Sequence, residues 1–229
     1  DEIVWAKDNN TLYYTRTNRG FTNIYKIKAD GSAAEQPLFT AACNVRNLTS
    51  SAKRDKIAFI SGNHDVMILN TATDVAEKIA DAQFWSYATY NLNFSPDDSY
   101  LAFEAVNMFE GEIYIYSFKE KKLRNLTNST CSEGNPCFSP DGKYLFMIAD
   151  YYETTFPRGG GGYPDLYKLP LDRYNVTPFQ SDVYDELFKK EEASEKAESA
   201  KKEGKSADVK KPSAKKEERE VKINLDNIL

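Results

Sequence analysis

Apolar and polar positions alternate with a period of two in several short segments that are bounded by turn-forming residues. The clearest are Ile24-Tyr25-Lys26-Ile27, Val66-Met67-Ile68-Leu69, Ile113-Tyr114-Ile115-Tyr116 and Leu166-Tyr167-Lys168-Leu169. A period of two in segments rich in aromatic and β-branched residues is typical of half-buried strands. The apolar residues lack helical spacing, and Pro and Gly interrupt the pattern. The chain is therefore predicted to be all-β.

A turn motif recurs at nearly constant spacing. Phe138-Ser139-Pro140-Asp141-Gly142-Lys143-Tyr144-Leu145 nearly duplicates Phe94-Ser95-Pro96-Asp97-Asp98-Ser99-Tyr100-Leu101, and weaker copies begin at Trp5 and Ser50. The apolar residues that close the motif are spaced by 45, 44 and 44 positions: Leu12, Ile57, Leu101 and Leu145. Pro and Asp-Gly favour a tight turn, so each copy predicts a strand, a turn and a second strand.

Each copy predicts four antiparallel strands. The second strands are predicted at Leu12–Thr15, Ile57–Ser61, Leu101–Ala105 and Leu145–Asp150, the third at the alternating segments, and a short edge strand at Lys122–Leu126. Four strands in about 44 residues is the period of a β-propeller blade, which becomes stable by stacking on its neighbours. We expect four blades, near 3–43, 44–88, 89–130 and 131–181, that form part of a larger ring.

The last part of the chain differs in composition. Residues 182–229 contain 12 basic and 13 acidic residues, so 25 of 48 positions are charged. Such a segment buries too little apolar surface to offset the entropy lost on ordering. We expect residues 182–220 to be a charged flexible linker, with a partner-binding segment as the alternative.

Charge and hydropathy exclude several classes of partner. The net charge of -5 argues against a nucleic-acid partner. No apolar run approaches the roughly 20 residues of a membrane-spanning helix, so no membrane span is expected. The sequence begins at Asp1 without Met or a signal-like segment, and we expect an excised piece of a longer protein.

Catalytic and metal-ligating patterns are sparse. The one histidine, His64, falls in a turn and is expected to be exposed, and no Gly-x-Ser-x-Gly elbow occurs. We therefore expect no catalytic, cofactor-binding or metal-binding residue. The turn aspartates are expected to bind local amides rather than calcium. Cys131 and Cys137, six positions apart, are either a disulfide or two free thiols.

The fourth copy contains an insertion. Leu145 and Leu166 are 21 positions apart, whereas the matching spacings in the other copies are 12, 9 and 12. The insertion is rich in aromatic residues, and we expect it to be flexible and to offer a peptide or domain contact through Tyr151, Tyr152, Phe156, Arg158 and Tyr163. A plain surface loop is the alternative.

These motifs resemble the propeller repeats of TolB-like proteins, which also occur in tricorn-type serine peptidases and in prolyl-oligopeptidase relatives. The resemblance rests on the Phe-Ser-Pro-Asp-Gly turn, the Ile-Tyr-Ile-Tyr strand and the ending Asn125-Leu126-Thr127. After the charged segment, Val221-Lys222-Ile223-Asn224-Leu225 is similar to the strand that opens the next propeller in bacterial tricorn-like peptidases. By this resemblance, residues 221–229 begin a following domain.

The resemblance implies a non-catalytic propeller portion of a serine peptidase that guides or sieves peptides, with the catalytic residues outside this sequence. A TolB-like protein-binding propeller without catalysis and the lid propeller of a prolyl-oligopeptidase-like hydrolase are the alternatives. The implied partners are peptides or unfolded protein substrates and other domains of the same chain. A homo-oligomer is a further alternative. A periplasmic or secreted location is implied, and a cytoplasmic one is the alternative.

Overall fold

The computed structural model describes residues 2–86, 88–129, 131–149, 165–172 and 220–223, and in these ranges it contains fifteen strands and no helix. The first copy of the repeat forms β1 (Ile3–Trp5), β2 (Thr11–Asn18), β3 (Phe21–Lys28) and β4 (Gln36–Phe39). The second forms β5 (Val45–Ser50), β6 (Lys56–Ser61), β7 (Asp65–Asn70) and β8 (Val75–Asp81). The third forms β9 (Leu92–Phe94), β10 (Tyr100–Asn107), β11 (Glu110–Ser117) and β12 (Lys122–Asn125). The fourth contributes β13 (Glu133–Phe138), β14 (Tyr144–Ala149) and β15 (Asp165–Pro170).

Each copy is one antiparallel sheet whose strands follow one another in chain order. The first three copies are four-stranded sheets, and the fourth has three strands within the described ranges. Every predicted second and third strand is present, and its ends lie within three residues of the predicted ones; the last predicted position of the fourth second strand, Asp150, lies outside the described residues. The prediction of an all-β chain made of propeller blades is confirmed.

The sheets pack face to face, and alternation along each strand divides the core between neighbours. In β6, Ile57 and Phe59 belong to a cluster shared with the first sheet, whereas Ala58 and Ile60 belong to one shared with the third. In β10, Leu101 and its alternate residues face the second sheet, while Ala102 joins the cluster shared with the fourth. The two middle sheets are thus buried on both faces, which explains why β6, β7 and the first half of β10 are almost continuously apolar.

The turns between the first and second strands of neighbouring copies contact one another. The Arg54 guanidinium donates to the Asn9 side-chain oxygen at 2.7 Å, and Asp98 accepts from the backbone N–H groups of Ala52 and Lys53 at 2.7 and 2.9 Å. We call this edge of the sheets the turn end. Antiparallel pairing puts the hairpins between second and third strands at the opposite edge, the hairpin end.

The three cysteines are free thiols, so Cys131 and Cys137 are not bridged. Residues 220–223 belong to the same compact unit as the four sheets, and no strand is formed at 221–223. The linker assigned to 182–220 lies outside the described residues except for its last position. That boundary, and the following domain at 221–229, stay predictions. No helix long and apolar enough to cross a bilayer occurs in the described parts of the chain.

Candidate functional site

The aromatic insertion that was predicted to contact peptides lies outside the described residues, and its five candidates therefore remain predictions: Tyr151, Tyr152, Phe156, Arg158 and Tyr163. The insertion connects β14 to β15. Ala149, which ends β14, pairs with Asp165, which begins β15. The insertion is consequently the connection that corresponds to the hairpins of the other copies, and those hairpins are the elements to compare with it.

The hairpin of the third copy exposes two apolar side chains. Asn107 pairs with Glu110, which leaves Met108 and Phe109 as a two-residue turn between β10 and β11. Their side chains point to solvent, with 87% and 81% of each residue exposed. Both residues have positive φ, 48° and 77°, a combination for which such turns normally select Asn-Gly. Met and Phe thus hold an unfavourable backbone conformation at an exposed tip.

The hairpin of the first copy makes the same kind of turn with more usual residues. Asn18 pairs with Phe21 around Arg19 and Gly20, whose φ values are 52° and 87°. Phe21 is 41% exposed. Two hairpins therefore present aromatic or apolar side chains at this edge of the sheets. We call Phe21, Met108 and Phe109 the hairpin-end surface.

Arg46, in β5, fastens the hairpin of the second copy to the connection that leads to the third. Its guanidinium donates to the backbone oxygens of Trp85 and Ser86 at 3.0 and 2.9 Å and lies 5.7 Å from the centre of the Tyr90 ring. It also donates to the side-chain oxygen of Asn63 at 3.4 Å. These contacts hold the second hairpin against the connection that contains Trp85, Ser86 and Tyr90.

His64 lies in that second hairpin and is exposed, as the sequence predicted. Its backbone oxygen accepts a hydrogen bond from Ala82 at 2.9 Å. The neighbouring carboxylate of Asp65 is paired with Lys78 at 2.6 Å. The backbone of His64 therefore helps to hold the loop that contains Ala82, and the nearest carboxylate in sequence, that of Asp65, is neutralised by Lys78.

Glu104 carries a half-buried carboxylate between the third and fourth sheets. Desolvation raises the pKa of this carboxyl, and a hydrogen bond from the backbone N–H of Asn135, at 3.2 Å, opposes the shift. Two glycines make room for it: a Cβ on Gly134 would lie 2.5 Å from Oε2, and one on Gly111 would lie 3.2 Å from Oε1. The carboxylate thus links the sheets close to the hairpin end.

A polar cleft of about 400 Å³ opens at the turn end between the first and second copies. Two ion pairs cross it, Lys28 with Asp8 at 2.9 Å and Lys26 with Asp74. The hydrogen bond from Lys28, followed by those from Thr11, holds the pKa of Asp8 well below its usual range. These two pairs neutralise four of the charges that line the cleft, and Lys7 is the remaining charged residue there. Because the pair of Lys26 with Asp74 joins the first and second copies, the geometry indicates a structural contact between copies.

The turn aspartates bind amides of their own turns, as predicted. Asp8 accepts from the backbone N–H groups of Asn10 and Thr11 at 2.9 and 2.8 Å, Asp97 from that of Ser99 at 3.0 Å. Asp98 departs from the expectation, because its carboxylate binds the turn of the neighbouring copy. No group of acidic, histidine or cysteine side chains able to hold a metal occurs within the described ranges.

Comparison with known proteins identifies the fold but no family. No family model matches the sequence, and no curated protein does. The structure is similar to TolB from Acinetobacter baumannii, with a TM-score of 0.54 and 19% identity over 72% of this chain and 40% of that one. It is similar to the tricorn protease, with a TM-score of 0.56 and 12% identity over 74% of this chain and 18% of that one.

Oligopeptidase B from Leishmania major is a third neighbour, with a TM-score of 0.54 and 12% identity over 76% of this chain and 25% of that one. The chain therefore spans two fifths or less of the length of these three proteins. At such identities the likeness concerns the fold alone. The chain has the fold of TolB-like β-propellers.

Proposed function

We propose that this chain is the non-catalytic propeller portion of a tricorn-like serine peptidase and that it guides or sieves peptide substrates. Its hairpin-end surface is proposed to contact extended peptides, together with the insertion of the fourth copy. The observation that carries the proposal is the turn at Met108 and Phe109. The fold shared with the tricorn protease supports it.

The turn supports a binding role because Met108 and Phe109 are poorly suited to the left-handed backbone that they adopt. Left-handed backbone costs an L-residue roughly 1–2 kcal/mol, and an exposed apolar tip recovers none of that cost through burial. Strain of this kind tends to persist where a binding surface needs the side chain. Aromatic and thioether groups also suit the alternating side chains of an extended peptide.

The test replaces both residues by the pair that the turn prefers. Met108→Asn with Phe109→Gly should raise the stability of the fold by roughly 1–2 kcal/mol by relieving left-handed strain. The same variant should bind fluorescein-labelled, reduced and carboxymethylated lactalbumin at least tenfold more weakly by fluorescence anisotropy. Gain of stability with loss of binding separates a binding role from a folding defect.

A matched control is available in the first hairpin. Arg19→Asn produces the same Asn-Gly turn but leaves Phe21 in place, and its binding should match that of the unaltered chain. The proposal fails if the double variant binds as tightly as the unaltered chain, or if the unaltered chain shows no binding.

The alternative is a TolB-like protein-binding propeller without catalysis, which the likeness to TolB favours. A lid propeller of a prolyl-oligopeptidase-like hydrolase is the third reading, supported by oligopeptidase B. The coding sequence that follows Leu229 distinguishes them. A further propeller and a PDZ-like module are expected for the first reading, a stop codon for the second and an early Gly-x-Ser-x-Gly elbow for the third.

We also propose a periplasmic or secreted location, which follows from the resemblance of the repeat to exported bacterial relatives. A fusion of the complete coding sequence to alkaline phosphatase tests it, because that reporter requires the oxidising periplasm. Activity of the fusion is expected. An inactive fusion that accumulates in the cytoplasm would contradict the proposal.

A further inference from the structure

One backbone position connects the turns of successive copies. The equivalent residues Asn9, Arg54, Asp98 and Gly142 all have left-handed φ, between 53° and 69°. The side chains of Arg54 and Asp98 reach back to the turn of the preceding copy, as described above. Gly142 has no side chain with which to make that connection to the third copy.

Val221 fills the position that a side chain at Gly142 would occupy. A Cβ on Gly142 would lie 2.6 Å from Cγ2 of Val221 and 3.7 Å from its Cβ. The backbone N–H of Val221 donates to Oδ2 of Asp97, in the turn of the third copy, at 2.7 Å. Val221 is only 4% exposed. It therefore connects the third and fourth turns in place of the missing side chain.

The carboxylate of Asp97 is prepared for this bond. Desolvation raises its pKa, but hydrogen bonds from Ser95, from Val221 and from Ser99 outweigh that effect and leave the pKa below its usual range. The group thus stays ionised at neutral pH, when it binds an incoming N–H most strongly.

Apolar packing extends the contact along the segment. Val221 belongs to the core cluster between the third and fourth sheets, and Ile223 packs against the same cluster. Leu171 is a fully buried member of this cluster, and its N–H donates to the backbone oxygen of Lys143 at 2.9 Å. The chain thus lies against one turn at two points fifty residues apart in sequence.

We propose that the groove between the third and fourth turns is a receptor for an extended chain segment, with residues 220–223 as its built-in occupant. The groove recognises one backbone N–H through Asp97, one β-branched side chain over Gly142, and a second apolar side chain two positions later. The spacing of two matches alternate residues of an extended backbone. This docking is independent of the peptide-guiding role proposed above.

Disulfide trapping in the full chain tests the docking. The Cβ separation of 3.7 Å lies within the range of about 3.5–4.5 Å that a disulfide requires, so Gly142→Cys with Val221→Cys should cross-link under mild oxidation. The matched control is Gly31→Cys with Val221→Cys. Gly31 is also left-handed, with φ 72°, and a Cβ there would meet nothing within 4 Å. Peptide mapping should find the 142–221 bridge and no 31–221 bridge.

Equal cross-linking of the two pairs, or none in either, would overturn the proposal. A second measurement applies if cysteine at position 142 prevents folding. Val221→Asp should lower the urea midpoint of unfolding, whereas Val75→Asp, at a residue that is 60% exposed, should leave it unchanged. Equal midpoints for the two aspartate variants would also overturn the docking.

Discussion

Asp98 stabilises the turn of the neighbouring blade. Its carboxylate accepts from two backbone N–H groups of the second copy, while its own backbone is left-handed, with φ 62°. Asp98→Gly, which copies the residue of the fourth blade, removes both bonds without adding backbone strain. We expect a loss of about 1–3 kcal/mol in the free energy of unfolding, measured in urea. A variant as stable as the unaltered chain would refute this role.

Glu104 gives the stability of the fold a defined pH dependence. Because burial raises its pKa in the folded state, the native chain binds more protons than the unfolded chain between the ordinary glutamate pKa and the raised value. Stability contributed by this group therefore falls as pH rises through that window. Glu104→Gln should remove this group's contribution to the slope of the urea midpoint measured across the window. A variant that keeps the slope of the unaltered chain would contradict this origin.

Single residues also show what sequence patterns leave out. Gly111 lies within β11, just after the turn at Met108 and Phe109. A Cβ at Gly111 would lie 2.9 Å from the backbone oxygen of Glu133. Glycine is therefore required because the fourth blade approaches the backbone closely at this position. The sequence alone contains no sign of that neighbour. The exposed tip could have been recognised from Met108 and Phe109, two apolar residues that lie between predicted strands.

Among contacts between elements, Arg46 of β5 joins the second hairpin, at Asn63, to the connection that contains Trp85, Ser86 and Tyr90. Arg46→Met leaves the carbonyl oxygens of Trp85 and Ser86 without this donor and should cost about 2–4 kcal/mol. The amides of Ala82 and Phe84, which bind the second hairpin at 2.9 Å, should exchange their hydrogens faster.

The control for Arg46 is Arg16→Met. Arg16 also lies over a tyrosine ring, 5.7 Å from that of Tyr25, but its side chain is 53% exposed and its ion pair is at the surface. Surface pairs contribute about 0–1 kcal/mol, so a small change is expected. Equal losses in both variants would refute the loop-ordering role of Arg46.

Strand positions followed from the sequence because the period of two and the turn motif are local properties. The register shifts in the first strands of two copies, β5 and β13, did not follow from the sequence. β5 shifts register between Arg46 and Thr49, and β13 does so between Gly134 and Cys137. Each shift aims backbone N–H groups at a carboxylate on the preceding copy, Glu2 for β5 and Glu104 for β13. Such pairing between copies depends on tertiary contact, which no local pattern encodes.

The architecture of the whole molecule was predictable for a related reason. A repeat of about 44 residues requires each sheet to bury its faces against the next, and the two middle sheets do so completely enough to leave Phe59 and Phe103 unexposed. The candidate site was less predictable. Its aromatic insertion lies outside the described residues, and its exposed tip is defined by backbone angles.

At the same scale, we predict that this chain alone does not hydrolyse peptides. A serine nucleophile at neutral pH needs a base, most often histidine, within hydrogen-bond reach and oriented by a third group. The sequence has one histidine, and the carboxylate next to it, Asp65, is paired with Lys78 at 2.6 Å. The purified chain should therefore show no turnover on a broad panel of fluorogenic peptides. Turnover that co-purifies with the chain and vanishes in His64→Ala would refute the prediction, because it would place the missing base in this exposed turn.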